Sequence, residues 1–112
     1  MTEGTPVLDT LAAMTAVSVE GANLEPRELM IVRLAALAAV GAPPASYLAN
    51  AGVAADVGIT LDDVQSILIG VAPVIGAPRV VEAAGNITRA LGFAVAVAEA
   101  EIDAELAEED EE

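Results

Sequence analysis

Val40-Gly41-Ala42-Pro43-Pro44-Ala45-Ser46-Tyr47-Leu48-Ala49-Asn50 decides the architecture of this chain. An apolar run arrives at Val40. Gly41 can take the left-handed backbone that closes a helix, and Pro43-Pro44 prevents the helix from continuing. The stretch therefore reads as helix end, turn and helix start, and the segments on either side repeat that grammar.

Upstream, Leu24-Glu25-Pro26-Arg27-Glu28 opens the helix that Gly41 ends. Pro26 is tolerated in a first turn, and two carboxylates favour the positive end of the helix dipole. Ile31, Leu34, Ala35 and Ala38 make this helix apolar on nearly every side, so it must be covered by its own domain or by other subunits. Arg33 interrupts that surface and is expected to snorkel to an edge or to pair with an acid. Earlier still, Val7, Leu8, Leu11 and Met14 fall on one helical face, which predicts an amphipathic helix from Pro6 to about Ser18, followed by a loop over 19–23.

Downstream, a helix is expected over Ala45 to Val57, stopped by Gly58. Thr60-Leu61-Asp62-Asp63 then supplies an N-cap and, three residues on, a carboxylate variant of the capping box. Val64, Ile67, Leu68 and Val71 form the apolar stripe of a fourth helix, which Pro73 and Gly76 kink or end. Pro78 marks the first turn of a fifth, carried by Val80, Val81, Ala84, Ile87 and Leu91 and closed by Gly92. Phe93, Val97, Ile102 and Leu106 allow a last helix to about Leu106. Ile67–Val71 and Val74-Ile75 would also suit strands, but the capping signal and helical spacing decide for helix. The fold class is all-α: one domain of five to six helices over residues 1–98, then an acidic, partly disordered tail over 99–112.

Hydrophobic residues make up 55% of the chain but aromatics only 2%, so the apolar surface is mostly Ala, Val, Leu and Ile. Each of these buries little area, and a small Ala-rich bundle is marginal alone. A homo-oligomer is therefore expected, with the excess apolar surface at subunit contacts. The longest uncharged run, Leu34 to Ala55, carries a turn in its middle and does not read as a membrane span. Met1 to Pro6 lacks the features of a secretory signal, which makes the cytoplasm the default compartment.

The formal net charge is −14, and nine of the eighteen acids lie between Glu99 and Glu112. Such a field repels nucleic acid and anionic lipid, so neither is an expected partner. The tail reads as a solvated solubiliser, with docking to a basic protein as the sharper alternative. An acidic, lysine-free surface also suits a high-salt environment. The four bases are Arg27, Arg33, Arg79 and Arg89, and the last two are expected in salt bridges between subunits.

The order of these elements resembles the carboxymuconolactone decarboxylase family and the related alkylhydroperoxidase D-like proteins. The resemblance covers about Leu24 to Gly92. It rests on helices ending at Gly41 and Gly58, then on Ile59-Thr60-Leu61-Asp62-Asp63-Val64 and on Gly70-Val71-Ala72-Pro73-Val74-Ile75-Gly76-Ala77-Pro78. It implies an all-α fold assembled as a homo-trimer or homo-hexamer, with a pocket for a small organic ligand near the second and third helices. The peroxidase branch uses a C-x-x-C pair, a following histidine and a carboxylate on the preceding helix. Counting back from Gly58 puts those cysteines on Pro43 and Ser46 and the histidine on Asn50; counting from Gly41 gives Ala42, Ala45 and Ala49. The relay carboxylate falls on Met30, and a two-residue slip reaches Glu28.

The chain contains no cysteine, histidine or lysine. Thiol peroxidase chemistry is excluded, as are Schiff bases and cysteine metal sites, and proton transfer is left to carboxylates or Tyr47. Asp62 and Asp63 point about 100° apart on a helix, so capping explains them better than a metal clamp. No metal or other cofactor is expected. By position, the groups nearest the family's pocket are Glu28 as a candidate acid or base, with Arg33, Tyr47 and Asn50 as candidate binding residues. Two functions follow: a catalytically degenerate, oligomeric structural or ligand-binding module, or an enzyme of decarboxylase or isomerase type that uses Glu28 on a small organic acid or lactone.

Overall fold

The computed structural model describes residues 4–111, so Met1–Glu3 and Glu112, which the expected domain and tail included, lie outside the described residues. The chain forms five α-helices, and no strand occurs among the described residues. They are α1 (Pro6–Ala22), α2 (Pro26–Val40), α3 (Pro44–Asp56), α4 (Leu61–Ile75) and α5 (Ala77–Glu111). The β-branched runs within 67–75 are helical, as the cap at Thr60 predicts.

Short-range chemistry sets the boundaries. Asn23 closes α1 at φ 53°, a left-handed conformation that asparagine tolerates. Gly41 closes α2 at φ 70°, with its own N–H donating to the Ala38 carbonyl and the Ala42 N–H donating to Leu37. That pair of bonds is a Schellman motif, and Gly58 repeats it after α3 through Ala55 and Ala54. At α4, the Asp63 N–H donates to Thr60 Oγ1 at 3.1 Å and the Thr60 N–H donates to Asp63 Oδ2 at 2.9 Å. Loss of this reciprocal cap in Thr60→Ala is expected to cost about 1 kcal/mol, measured as a lower midpoint in urea unfolding with an unchanged slope.

α4 runs through Pro73 and ends before Gly76, one of the two residues expected to kink or end it. Two other expectations need correction. α1 continues to Ala22, through most of the expected 19–23 loop. Gly92 does not end α5, so the expected fifth and sixth helices are one, and residues 99–111 continue it. A glycine inside a helix costs only about 1 kcal/mol, and no proline or capping residue follows Gly92 to turn that cost into a stop. Beyond Leu91 this helix is mostly exposed, which makes the molecule long, 56 × 34 × 26 Å. By length and composition alone the Ala77–Glu108 part of α5 is long and apolar enough to cross a membrane. Its first half forms one wall of the bundle here, with Ala83 and Ala90 buried.

The core sits where α2, α3, α4 and the first half of α5 meet. Leu34, Ala42, Tyr47 and Ala90 are its buried centre, surrounded by half-buried Leu37, Leu48, Ile59, Ile67 and Ile87. Small side chains dominate, and among the described residues Met30, 2% exposed, is the one large side chain that is fully buried. Asn86 of α5 donates to the Ala42 carbonyl at 3.1 Å, tying the α2–α3 turn to α5. Gly85 beside it is not a close helix crossing, since an added methyl would meet only the Arg89 guanidinium at ordinary contact distance. Arg27 pairs with Asp63 at 2.9 Å and links the starts of α2 and α4. α1 stands apart from this core, and none of its residues is buried.

Candidate functional site

A cavity of about 220 Å³ lies between α3, the start of α4 and α5. Ala51, Ala54 and Ala55 repeat at i, i+3 and i+4, so one face of α3 withholds side-chain volume where larger residues would fill the space. Tyr47, Leu34, Val64, Ile87 and Ala90 supply other parts of the wall, and exposed Leu61 and Leu91 also line it. The lining contains two side-chain hydroxyls. That of Thr60 is already engaged by the Asp63 N–H.

The Tyr47 hydroxyl is buried and has no hydrogen-bond partner among the described residues. Burial raises the pKa of the phenol above its ordinary value, and the nearby Glu82 carboxylate adds to the rise. The phenol therefore stays protonated across the neutral range and can donate a hydrogen bond but cannot act as a base. No carboxylate, guanidinium or imidazole lines the cavity.

A second, more open groove of about 380 Å³ lies between α2 and α4, with Ile31, Ala35, Ile67 and Val71 among its walls. Asp63 is its only ionisable residue, and it is committed to Thr60 and Arg27. The backbone N–H of Thr60, then Arg27, hold that carboxyl below its ordinary pKa.

Of the four residues picked from sequence, only Tyr47 lines the cavity. Glu28 is exposed in the first turn of α2 and borders neither space. Arg33 turns the other way, donating to the Thr15 carbonyl at 3.4 Å and Ser18 Oγ at 3.1 Å of α1, and it pairs with no acid among the described residues. Asn50 donates back to the Ser46 carbonyl within α3. Arg79 pairs with Glu82 on its own helix at 3.1 Å, and Arg89 donates to Asn86 Oδ1, so both have partners inside the subunit. The sequence reading missed Thr60, Val64, Ile87 and Ala90 as wall residues; the alanine spacing on α3 was the signal that could have found them.

Comparison with known protein families, with curated proteins and with solved structures gave no match to this chain.

Proposed function

We propose that this protein is a non-catalytic helical module of the carboxymuconolactone decarboxylase type, assembled from several copies, that takes up a small neutral apolar molecule. The observation that carries this reading is the cavity behind Tyr47: an apolar space without any side chain that exchanges protons near pH 7. Benzene occupies an apolar protein cavity of roughly 150 Å³, so about 220 Å³ accommodates one six-membered ring. An anion is disfavoured, because no cation lines the wall and the Glu82 charge is felt at Tyr47.

Assembly is supported by surface area. The chain exposes 7819 Å², whereas a folded monomer of 11.2 kDa exposes about 5,700 Å². The difference is well over the roughly 800 Å² that each partner buries in a standard interface.

Calorimetric titration with cyclohexanone and with cyclohexanecarboxylate tests the cavity. The ketone is expected to bind at one per chain and the carboxylate at least tenfold more weakly. Ala54→Leu, which fills the cavity from a buried position, is expected to abolish ketone binding and leave the subunit number unchanged. Equal or tighter binding of the carboxylate would sink the neutral-ligand reading.

A further inference from the structure

The α1–α2 hairpin is open. Val7, Leu11, Met14 and Ser18 recur at i, i+4, i+7 and i+11, which is one face of α1. Ser18 and the neighbouring Thr15 carbonyl are the groups that Arg33 reaches, so this face is turned towards α2. It does not pack there: Leu11 is 50% exposed and Met14 61%. On α2, Val32, Ala36 and Val40 flank Arg33 at i, i+4 and i+8, and all three are exposed as well. Two apolar stripes thus border one cleft, bridged by a single arginine.

The charges of α1 keep clear of the stripe. Asp9 and Glu20 are eleven residues apart, which places them on one line roughly 200° around the helix from Val7. An isolated helix of this length is marginal in water, and α1 has neither a side-chain cap nor a buried residue to hold it. Something must cover this face.

We infer that a second copy of the chain covers it: α1 of each subunit lies in the open hairpin of the other, and two hairpins close into a four-helix bundle about a twofold axis. This rests on the assembled reading above and names the contact. The cleft and the stripe that fits it belong to the same hairpin, so one isologous contact satisfies both at once. The chain as a whole exposes more area than such a contact needs, and Leu11, Met14, Val32 and Val40 of the hairpin contribute to it. In a chain of net charge −14, like-charge repulsion is least where two acid-free stripes meet.

Native mass spectrometry of the full-length protein tests this, with Leu11→Glu/Met14→Glu compared against Ala13→Glu/Ala16→Glu. The second pair adds the same two charges to the acidic side of the same helix. The stripe variant is expected to lose at least half of its subunit number, and the control is expected to assemble as the wild type does. Wild-type assembly in the stripe variant, or equal loss in both, would overturn the twofold contact while leaving an oligomer. A monomeric wild type would overturn the assembled reading with it.

Should the stripe variant lose its helicity, cross-linking gives the answer. The chain has no cysteine, so Leu11→Cys and Ala16→Cys each carry one thiol. A short bismaleimide is expected to give a covalent dimer through position 11 and little through position 16. Equal yields, or none at position 11, would overturn the inference.

Discussion

Gly41→Ala is expected to destabilise the protein by about 2–3 kcal/mol, whereas Gly58→Ala costs about 1–2 kcal/mol. Both glycines sit at positive φ, 70° and 80°, and both close a helix with the same pair of backbone bonds. The left-handed conformation charges an L-residue a similar amount at either place. The surroundings differ. At Gly58 a new methyl meets nothing within 4 Å, but at Gly41 it runs into the Arg79 guanidinium and comes within 2.6 Å of Glu82 Oε1. Arg79 must swing away, and its ion pair with Glu82 goes with it. That exposed pair is worth little by itself. The larger loss comes if the α2–α3 turn shifts and strains the Asn86 bond to the Ala42 carbonyl. Chemical unfolding of both variants separates the contributions: equal losses would show that the collision at Gly41 relaxes without cost.

This turn matters beyond its own stability because it sets the start of α3. The register of α3 decides which residues look into the cavity. Tyr47, Ala51 and Ala54 fall on one face, and Asn50 lies to its side. A shift at Gly41 would move the whole wall, so Gly41→Ala should weaken ketone uptake as well as stability.

Features governed by neighbouring residues were legible in the sequence. The Thr60–Asp63 cap, the stops at Gly41 and Gly58 and the all-helical class each follow from a few adjacent side chains, and the structure contains all of them. Gly92 misled because a glycine stops a helix only when the following residues supply an alternative, and Phe93-Ala94-Val95-Ala96 supplies none. The site was legible only at Tyr47. Counting along a family pattern fixes a position in the chain but not its phase on a helix. Glu28 sits about 120° around α2 from Leu34, the residue of α2 that reaches the cavity. Arg33 was expected to snorkel to an edge or to pair with an acid, and it reaches an exposed carbonyl and hydroxyl of α1. Its partner could not be read because α1 and α2 meet there through that one side chain.

Those two placements connect the cavity to the hairpin. α2 carries Leu34 on the side that faces α3 and α5, and Val32, Ala36 and Val40 on the side beside α1. On the proposed readings, one helix would serve the ligand space with one face and the subunit contact with another. A ligand that stiffens the first face is expected to bear on the second only through α2 itself, which is held at its start by the Arg27–Asp63 pair and at its end by Gly41.

Met30→Ala is expected to be the most damaging single truncation, at about 2–5 kcal/mol. Domains of this size have only about 5–15 kcal/mol in total, so the variant should lose a large share of it. Met30 is 2% exposed, and five of the nine buried hydrophobic residues among those described are alanines, which offer little volume to refill a cavity. Met30→Leu nearly conserves volume and should cost less than about 1.5 kcal/mol. The same position is where the resemblance would put a relay carboxylate. A carboxylate here would be stripped of water, and the arginines three residues away on either side are already engaged, Arg27 by Asp63 and Arg33 by α1, so Met30→Glu should be worse than Met30→Ala at pH 7 and should recover as pH falls and the group takes up a proton. Thermal melts of the three variants at pH 7 and pH 5 decide the point. A Met30→Glu protein as stable as Met30→Leu at pH 7 would mean that this position tolerates a buried charge, and the case against proton-transfer chemistry on α2 would fall with it.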